Sequence, residues 1–170
     1  FFIIGMFLIV YFGFIKNNKD KFKILEDINL LKIFNNIDNL NISNNIVIVT
    51  LETRKNMDNL VSVHNNSILQ YANYHKYKYI FTDRFESKDD FPDYWKKIQI
   101  VKKLLENKTS DYVMWMDIDT VITKPLVSLN YILSSCITKS IFIGKDYPYG
   151  DSDSFNAGVF IIKNNNIGVN

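Results

Sequence analysis

The stretch Asp111-Tyr112-Val113-Met114-Trp115-Met116-Asp117-Ile118-Asp119 decides how this chain is read. Its middle, Tyr112 to Met116, is apolar on both faces, the pattern of a strand buried inside a parallel sheet. The strand runs straight into two carboxylates at i and i+2. Side chains alternate along a strand, so that spacing aims Asp117 and Asp119 to one side. Ligands of open α/β sheets bind just past the carboxyl ends of the strands, where these acids would lie. Two hard oxygen ligands beside water suit Mn²⁺ or Mg²⁺ carrying a phosphate, since such ions take one or two carboxylates and keep waters. The same pair also serves as an ordinary strand cap or turn start.

Outward from this strand, the elements alternate. Ile46-Val47-Ile48-Val49-Thr50 is a β-branched run suited to a first central strand. Residues 58–76 have helical spacing, with Leu60, His64, Ile68, Tyr71 and His75 on one stripe. Tyr79-Ile80-Phe81-Thr82 reads as a second strand ending at Asp83. Pro92 and Asp93 open a further helix whose buried face would be Tyr94, Ile98, Val101 and Leu105. Ile141 to Gly144 and Val159 to Ile162 are two more strand candidates. Strand, helix, strand, helix, strand is the order of a parallel α/β sheet.

The chain has 170 residues, the length of one domain with a real core. A net charge of +2 with scattered lysines argues against a nucleic-acid partner, which leaves a concentrated basic patch. The single cysteine, Cys136, excludes an internal disulfide and a Cys-based metal site. Residues 1–15 are almost wholly apolar and precede a polar stretch. Their length falls between a membrane span of about 20 residues and a secretory core of about 7–15. They are expected to be a signal anchor or signal peptide, a core element being the competing reading. Residues 16–45 would be a stem and 46–170 the globular domain. The expected placement is a single-pass type II membrane protein facing the Golgi or ER lumen. Asn-x-Ser/Thr sequons at Asn41, Asn65 and Asn107 permit glycosylation there.

Five segments in order resemble the glycosyltransferases of the galactosyl/mannosyl/xylosyl family 34, which have the GT-A fold. They are Thr50 at the end of the first strand; Tyr71-Ala72-Asn73-Tyr74-His75-Lys76-Tyr77, similar to Tyr-Cys-x-x-His-Gly-Tyr; and Tyr94-Trp95-Lys96-Lys97, similar to a Trp-x-Lys helix start. Trp115-Met116-Asp117-Ile118-Asp119 and Asn156-Ala157-Gly158-Val159-Phe160-Ile161-Ile162-Lys163-Asn164 complete the set. Lys76 stands where the family has Gly, and Lys163 where it has Arg. The family continues past the last segment to a downstream His that ligates metal. The chain gives only His64 and His75, so the resemblance implies a C-terminally truncated domain that is either a fragment or a protein lacking part of its acceptor side.

The resemblance implies an open, mainly parallel GT-A sheet with helices on both faces. It implies a retaining transferase that moves a hexose or pentose from a UDP- or GDP-sugar to a glycan or glycoprotein. Asp119 would bind Mn²⁺ or Mg²⁺, with Asp117 holding the metal through water or touching the ribose. Thr50 and Asp83 would lie near base and ribose, Lys97 near the phosphates, and Ile118, Asn156, Ala157 and Gly158 along the donor pocket. Arg54 could reach a phosphate, or be a surface arginine; Asp151 and Asp153 could reach the sugar, or be loop acids. His75 reads as a buried, hydrogen-bonded histidine, His64 has weaker claims, and Trp115 belongs to the strand core. Two rivals remain open. One is a haloacid-dehalogenase-type phosphohydrolase using Asp117 as nucleophile. The other is a truncated domain that binds a nucleotide sugar without turnover.

Overall fold

The structure, a computed structural model, describes residues 45–85, 92–108, 110–134, 136–145 and 154–169. Residues 1–44, including the expected anchor, stem and Asn41 sequon, lie outside them, as do Asp151 and Asp153. No helix among the described residues is long and apolar enough to cross a membrane.

Strands β1 (Ile46–Leu51), β2 (Lys78–Thr82), β3 (Tyr112–Met116), β4 (Ile141–Lys145) and β5 (Phe155–Lys163) form one sheet in the order β2-β1-β3-β5-β4. β1 pairs parallel with both β2 and β3, whereas β5 is antiparallel to both β3 and β4. Four strands therefore run one way, and β5 alone opposes them. The sheet is mixed at that point because an apolar run carries no information on strand direction.

β1 and β3 are central, and their burial on both faces explains their unbroken apolarity. Helix α1 (Asp58–His75) covers one face. Its Ile68, Tyr71 and Ala72 pack with Ile46, Ile48, Met114, Met116 and, from α3 (Leu129–Ser134), Leu129 and Leu133. Helix α2 (Lys96–Glu106) covers the other, its Ile100, Val101 and Leu105 packing on Val49, Val113, Trp115 and Phe160. A short helix α4 (Asn166–Val169) follows β5.

One expectation needs correction. Tyr94 and Ile98, expected on the buried face of the second helix, are 66% and 45% exposed. The chain enters that helix through a 3₁₀ turn, Asp93–Trp95. Val101 and Leu105 face the sheet as expected and Ile100 joins them, while Tyr94 lies in the turn and Ile98 on the open side of the helix. Within the Asn65 sequon, the Tyr79 hydroxyl donates to Asn65 Oδ1 at 2.6 Å, and Ser67 Oγ accepts from Ile122 N–H at 2.9 Å.

α1 ends on Lys76, whose φ of 60° and ψ of 34° are left-handed. Tyr77 N–H then donates to the Ala72 carbonyl at 2.8 Å, turning the chain back into β2. The family's glycine at this place has a physical reason, and the lysine here does without it.

Candidate functional site

At the carboxyl end of β3, Asp117 is held from several directions. Trp115, two residues earlier and on the same side of the strand, is buried, and its indole N–H donates to Asp117 Oδ1 at 2.6 Å. Lys97, in the first turn of α2, places its ammonium 2.9 and 3.1 Å from the two carboxylate oxygens. It also donates to the Ala157 carbonyl at 3.2 Å and lies 5.6 Å from the Trp115 ring centroid. The Asp117 backbone N–H donates to the Gly158 carbonyl at 2.8 Å.

That last bond brings the start of β5 to the acids. Because β5 runs antiparallel, Asn156, Ala157 and Gly158 lie beside the carboxyl end of β3. Asn156 Oδ1 accepts from Gly158 N–H at 2.8 Å. A Cβ on residue 158 would sit 2.8 Å from that oxygen and 3.4 Å from Asp117 Oδ2. The glycine leaves room for this close approach.

Regular strand stops at Met116, so the pleat does not set the direction of Asp119 as the i, i+2 spacing suggests. A turn does. Thr120 N–H and Thr120 Oγ1 both donate to the Asp117 carbonyl, at 3.1 and 2.6 Å. Ile118 is buried at this turn. Asp119 is exposed and has no hydrogen-bond or ion-pair partner among the described residues.

Under the turn lies a buried polar chain. Thr50 is fully buried, and its hydroxyl lies 2.9 Å from both the Met116 carbonyl and His64 Nε2. His64, also fully buried, lies with Nδ1 2.8 Å from the Thr120 carbonyl. A carbonyl only accepts, so Nδ1–H donates to it, and in the neutral ring Nε2 is an acceptor that shares the single Thr50 hydroxyl proton with the Met116 carbonyl. Burial holds the His64 pKa below its ordinary value, favouring this neutral ring, against the opposing pull of the Thr120 carbonyl, Asp119 and Asp117. Thr50, expected beside base and ribose, thus spends its hydroxyl inside the protein and acts on the site by bracing it.

After β1 comes Glu52, whose side chain is 5% exposed, and Arg54, 60% exposed. The guanidinium clasps the carboxylate with Nε–H at 2.9 Å and NH2 at 2.6 Å. This bond holds the Glu52 carboxyl below its usual range, and Arg54 is raised by Glu52 and, more weakly, by Asp119 and Asp117. Arg54 is therefore a fixed cation within electrostatic reach of both acids.

Two of the three carboxylates here, Asp117 and Glu52, are matched by a cation in direct contact; Asp119 is the one left open. No three His, Cys, Asp or Glu side chains converge on a metal position among the described residues. The residues fit an ion that is held in part by a ligand's own oxygens, as Mg²⁺ and Mn²⁺ are when they carry phosphates.

The remaining expected residues are dispersed. Asp83 is exposed at the end of β2, 3.9 Å from the equally exposed Arg84. His75 places Nε2 2.7 Å from the Pro125 carbonyl and stacks on Tyr77, well behind the acids. Sequence reasoning missed the indole donor of Trp115, the brace through His64 and the Glu52–Arg54 clasp. Only the first left a signal, the tryptophan two residues ahead of an acid.

Comparison with known proteins agrees with this arrangement. No curated protein matches the chain. A crystal structure of a glycosyltransferase involved in the glycosylation of the major capsid of PBCV-1 shares 15% identity at a TM-score of 0.57, covering 69% of this chain and 59% of that one. The structure of A197 from STIV shares 13% identity at a TM-score of 0.44, covering 69% and 64%. The chain thus spans less than two thirds of either protein. The first likeness establishes a GT-A-like fold. The profile of the galactosyl transferase GMA12/MNN10 family matches residues 42–148, more than half of the chain and inclusive of both acids, and the chain belongs to that family.

Proposed function

We propose that this chain carries the donor site of a metal-dependent glycosyltransferase. It would move a hexose or pentose from a UDP- or GDP-sugar to a glycan or glycoprotein acceptor. Asp119 carries the reading: it is an exposed carboxylate with no direct ion-pair partner among the described residues, just past the carboxyl end of a central strand, beside two acids that are each paired with a cation. Asp119 would hold Mn²⁺ or Mg²⁺, with Asp117 contributing through water. A bound cation of this kind stabilises negative charge as a diphosphate leaves.

The protein groups around it divide the remaining work. Arg54, oriented by Glu52, offers its outer N–H groups to phosphate oxygens. Lys97 does not bind phosphate as a free cation; it fixes Asp117 and ties it to the Ala157 carbonyl. Gly158 lets the backbone of β5 approach the donor.

Retention is carried over from the family resemblance, and the use of the carboxylates bears only on its mechanism. Asp117 is bound by Lys97 and Trp115, and Glu52 by Arg54, so neither is placed as a free nucleophile. A front-face transfer, in which the leaving phosphate takes the acceptor proton, needs none. The same bonds weigh against Asp117 as the nucleophile of a phosphohydrolase. The apolar residues 1–15 support a lumen-facing type II placement in the Golgi or ER.

Calorimetric titration of UDP and GDP with and without Mn²⁺ tests the reading. Mn²⁺ is expected to tighten one nucleotide, and Asp119→Ala to remove the metal-dependent part. Nucleotide affinity that ignores both Mn²⁺ and Asp119→Ala would refute it. Metal-dependent binding without sugar transfer would point to a binding domain instead.

A further inference from the structure

We propose that His64 is a positioning residue that sets the turn presenting Asp119. The proposal rests on the cation-site reading of Asp119 given above. His64 lies 53 or more positions before that turn in sequence, yet it closes a continuous chain of polar contacts around it. The chain runs from the Met116 carbonyl to the Thr50 hydroxyl, to the imidazole, to the Thr120 carbonyl. From Thr120 the hydroxyl and the backbone N–H return to the Asp117 carbonyl. Met116 and Thr120 are the residues on either side of the acidic segment, so one ring grips the segment at both ends.

A merely structural histidine would not need this geometry. The ring is fully buried on α1, its centroid 6.4 Å from that of Tyr79, where leucine would occupy the space without desolvating two ring nitrogens. What the imidazole adds is direction. Its two nitrogens, on opposite sides of a rigid ring, fix the distance between the end of β1 and the turn after β3. Asp119 has no protein partner of its own among the described residues, so the position of its carboxylate depends on the backbone that carries it. Fixing that backbone before the ion arrives removes the cost of ordering it on binding.

The test compares His64→Leu and His64→Gln with Ile68→Ala, a core substitution on the same helix that leaves the turn untouched. Two readouts are taken on the full chain: hydrogen exchange of the amides of residues 117–120, and Mn²⁺ affinity by titration of the metal alone. His64→Leu is expected to speed exchange in the turn and to weaken Mn²⁺ binding about tenfold to a hundredfold, as loss of outer-shell partners does. His64→Gln, which keeps one donor and one acceptor, should recover part of both. Ile68→Ala should lower the unfolding midpoint yet leave turn exchange and Mn²⁺ affinity within about twofold. Unchanged turn exchange in both His64 variants overturns the proposal whatever the metal does, and so does Mn²⁺ affinity unchanged by His64→Leu but lost in Asp119→Ala. Mn²⁺ binding that survives Asp119→Ala fails the cation-site reading itself, which separates the two failures. Should His64→Leu not fold, His64→Gln against Ile68→Ala carries the same comparison.

Discussion

The indole N–H of Trp115 and the carboxylate of Asp117 meet at 2.6 Å because they sit two residues apart on one side of β3. The tryptophan of the Trp-x-Asp-x-Asp segment is therefore a hydrogen-bond donor as well as core. Trp115→Phe keeps the packing and removes the donor, and should cost about 1 kcal/mol in urea unfolding. Lys97→Met strips Asp117 of its cation. With 34% of the Asp117 side chain exposed, screening holds the expected loss to about 1–2 kcal/mol. Both donors share Oδ1, so the double variant should depart from additivity.

Gly158→Ala puts a methyl 2.8 Å from Asn156 Oδ1, the end of a side chain that can swing away. The fold should survive with a loss of about 1 kcal/mol. The displaced carboxamide and the 3.4 Å approach to Asp117 Oδ2 fall in the proposed donor site, so nucleotide affinity should drop well beyond the stability change. Paired unfolding and titration measurements separate the two.

Lys76 occupies a left-handed cap at φ 60°. A side chain there costs about 1 kcal/mol relative to glycine, partly offset by the greater freedom glycine gives the unfolded chain. Lys76→Gly should raise stability by about 0.5–1 kcal/mol with no change in ligand binding. A loss of stability in thermal unfolding would contradict the strain argument.

His64 makes stability depend on pH. Its folded-state pKa is lowered by burial, so the unfolded chain binds the proton more readily. The contribution is fully present above about pH 6.5, the ordinary histidine value, and is lost as pH falls below it toward the folded pKa. Asp117 and Asp119 oppose the shift from the acidic turn, and Tyr79 is the neighbouring ring, its own pKa pushed up to about 12 by burial. Unfolding midpoints measured between pH 7 and 5 should fall in the wild type and flatten in His64→Gln.

Much of the fold was legible because β1 and β3 are buried on both faces and say so in unbroken apolar runs. The exposure of Tyr94 and Ile98 was not, since an apolar residue at helical spacing can sit at the open edge of a stripe as well as within it. The direction of β5 was hidden for a related reason: period-two patterning is the same read either way. In the site, Asp117 and Asp119 stood out by position, but their different fates did not. Lys97 captures one from another element, and the turn leaves the other in water. Glu52 and His64 were illegible because their partners are a neighbouring loop arginine and a carbonyl 56 positions away.

The reversal of β5 also has a consequence for assembly. β2, β1 and β3 can pair as they are synthesised, but the Asp117 backbone N–H lacks its acceptor until Gly158 arrives. β4, made earlier than β5, has no place in the sheet before then, for it joins through β5 alone. A nascent chain halted short of that strand would carry both carboxylates yet expose an open sheet edge, a natural signal for chaperone capture.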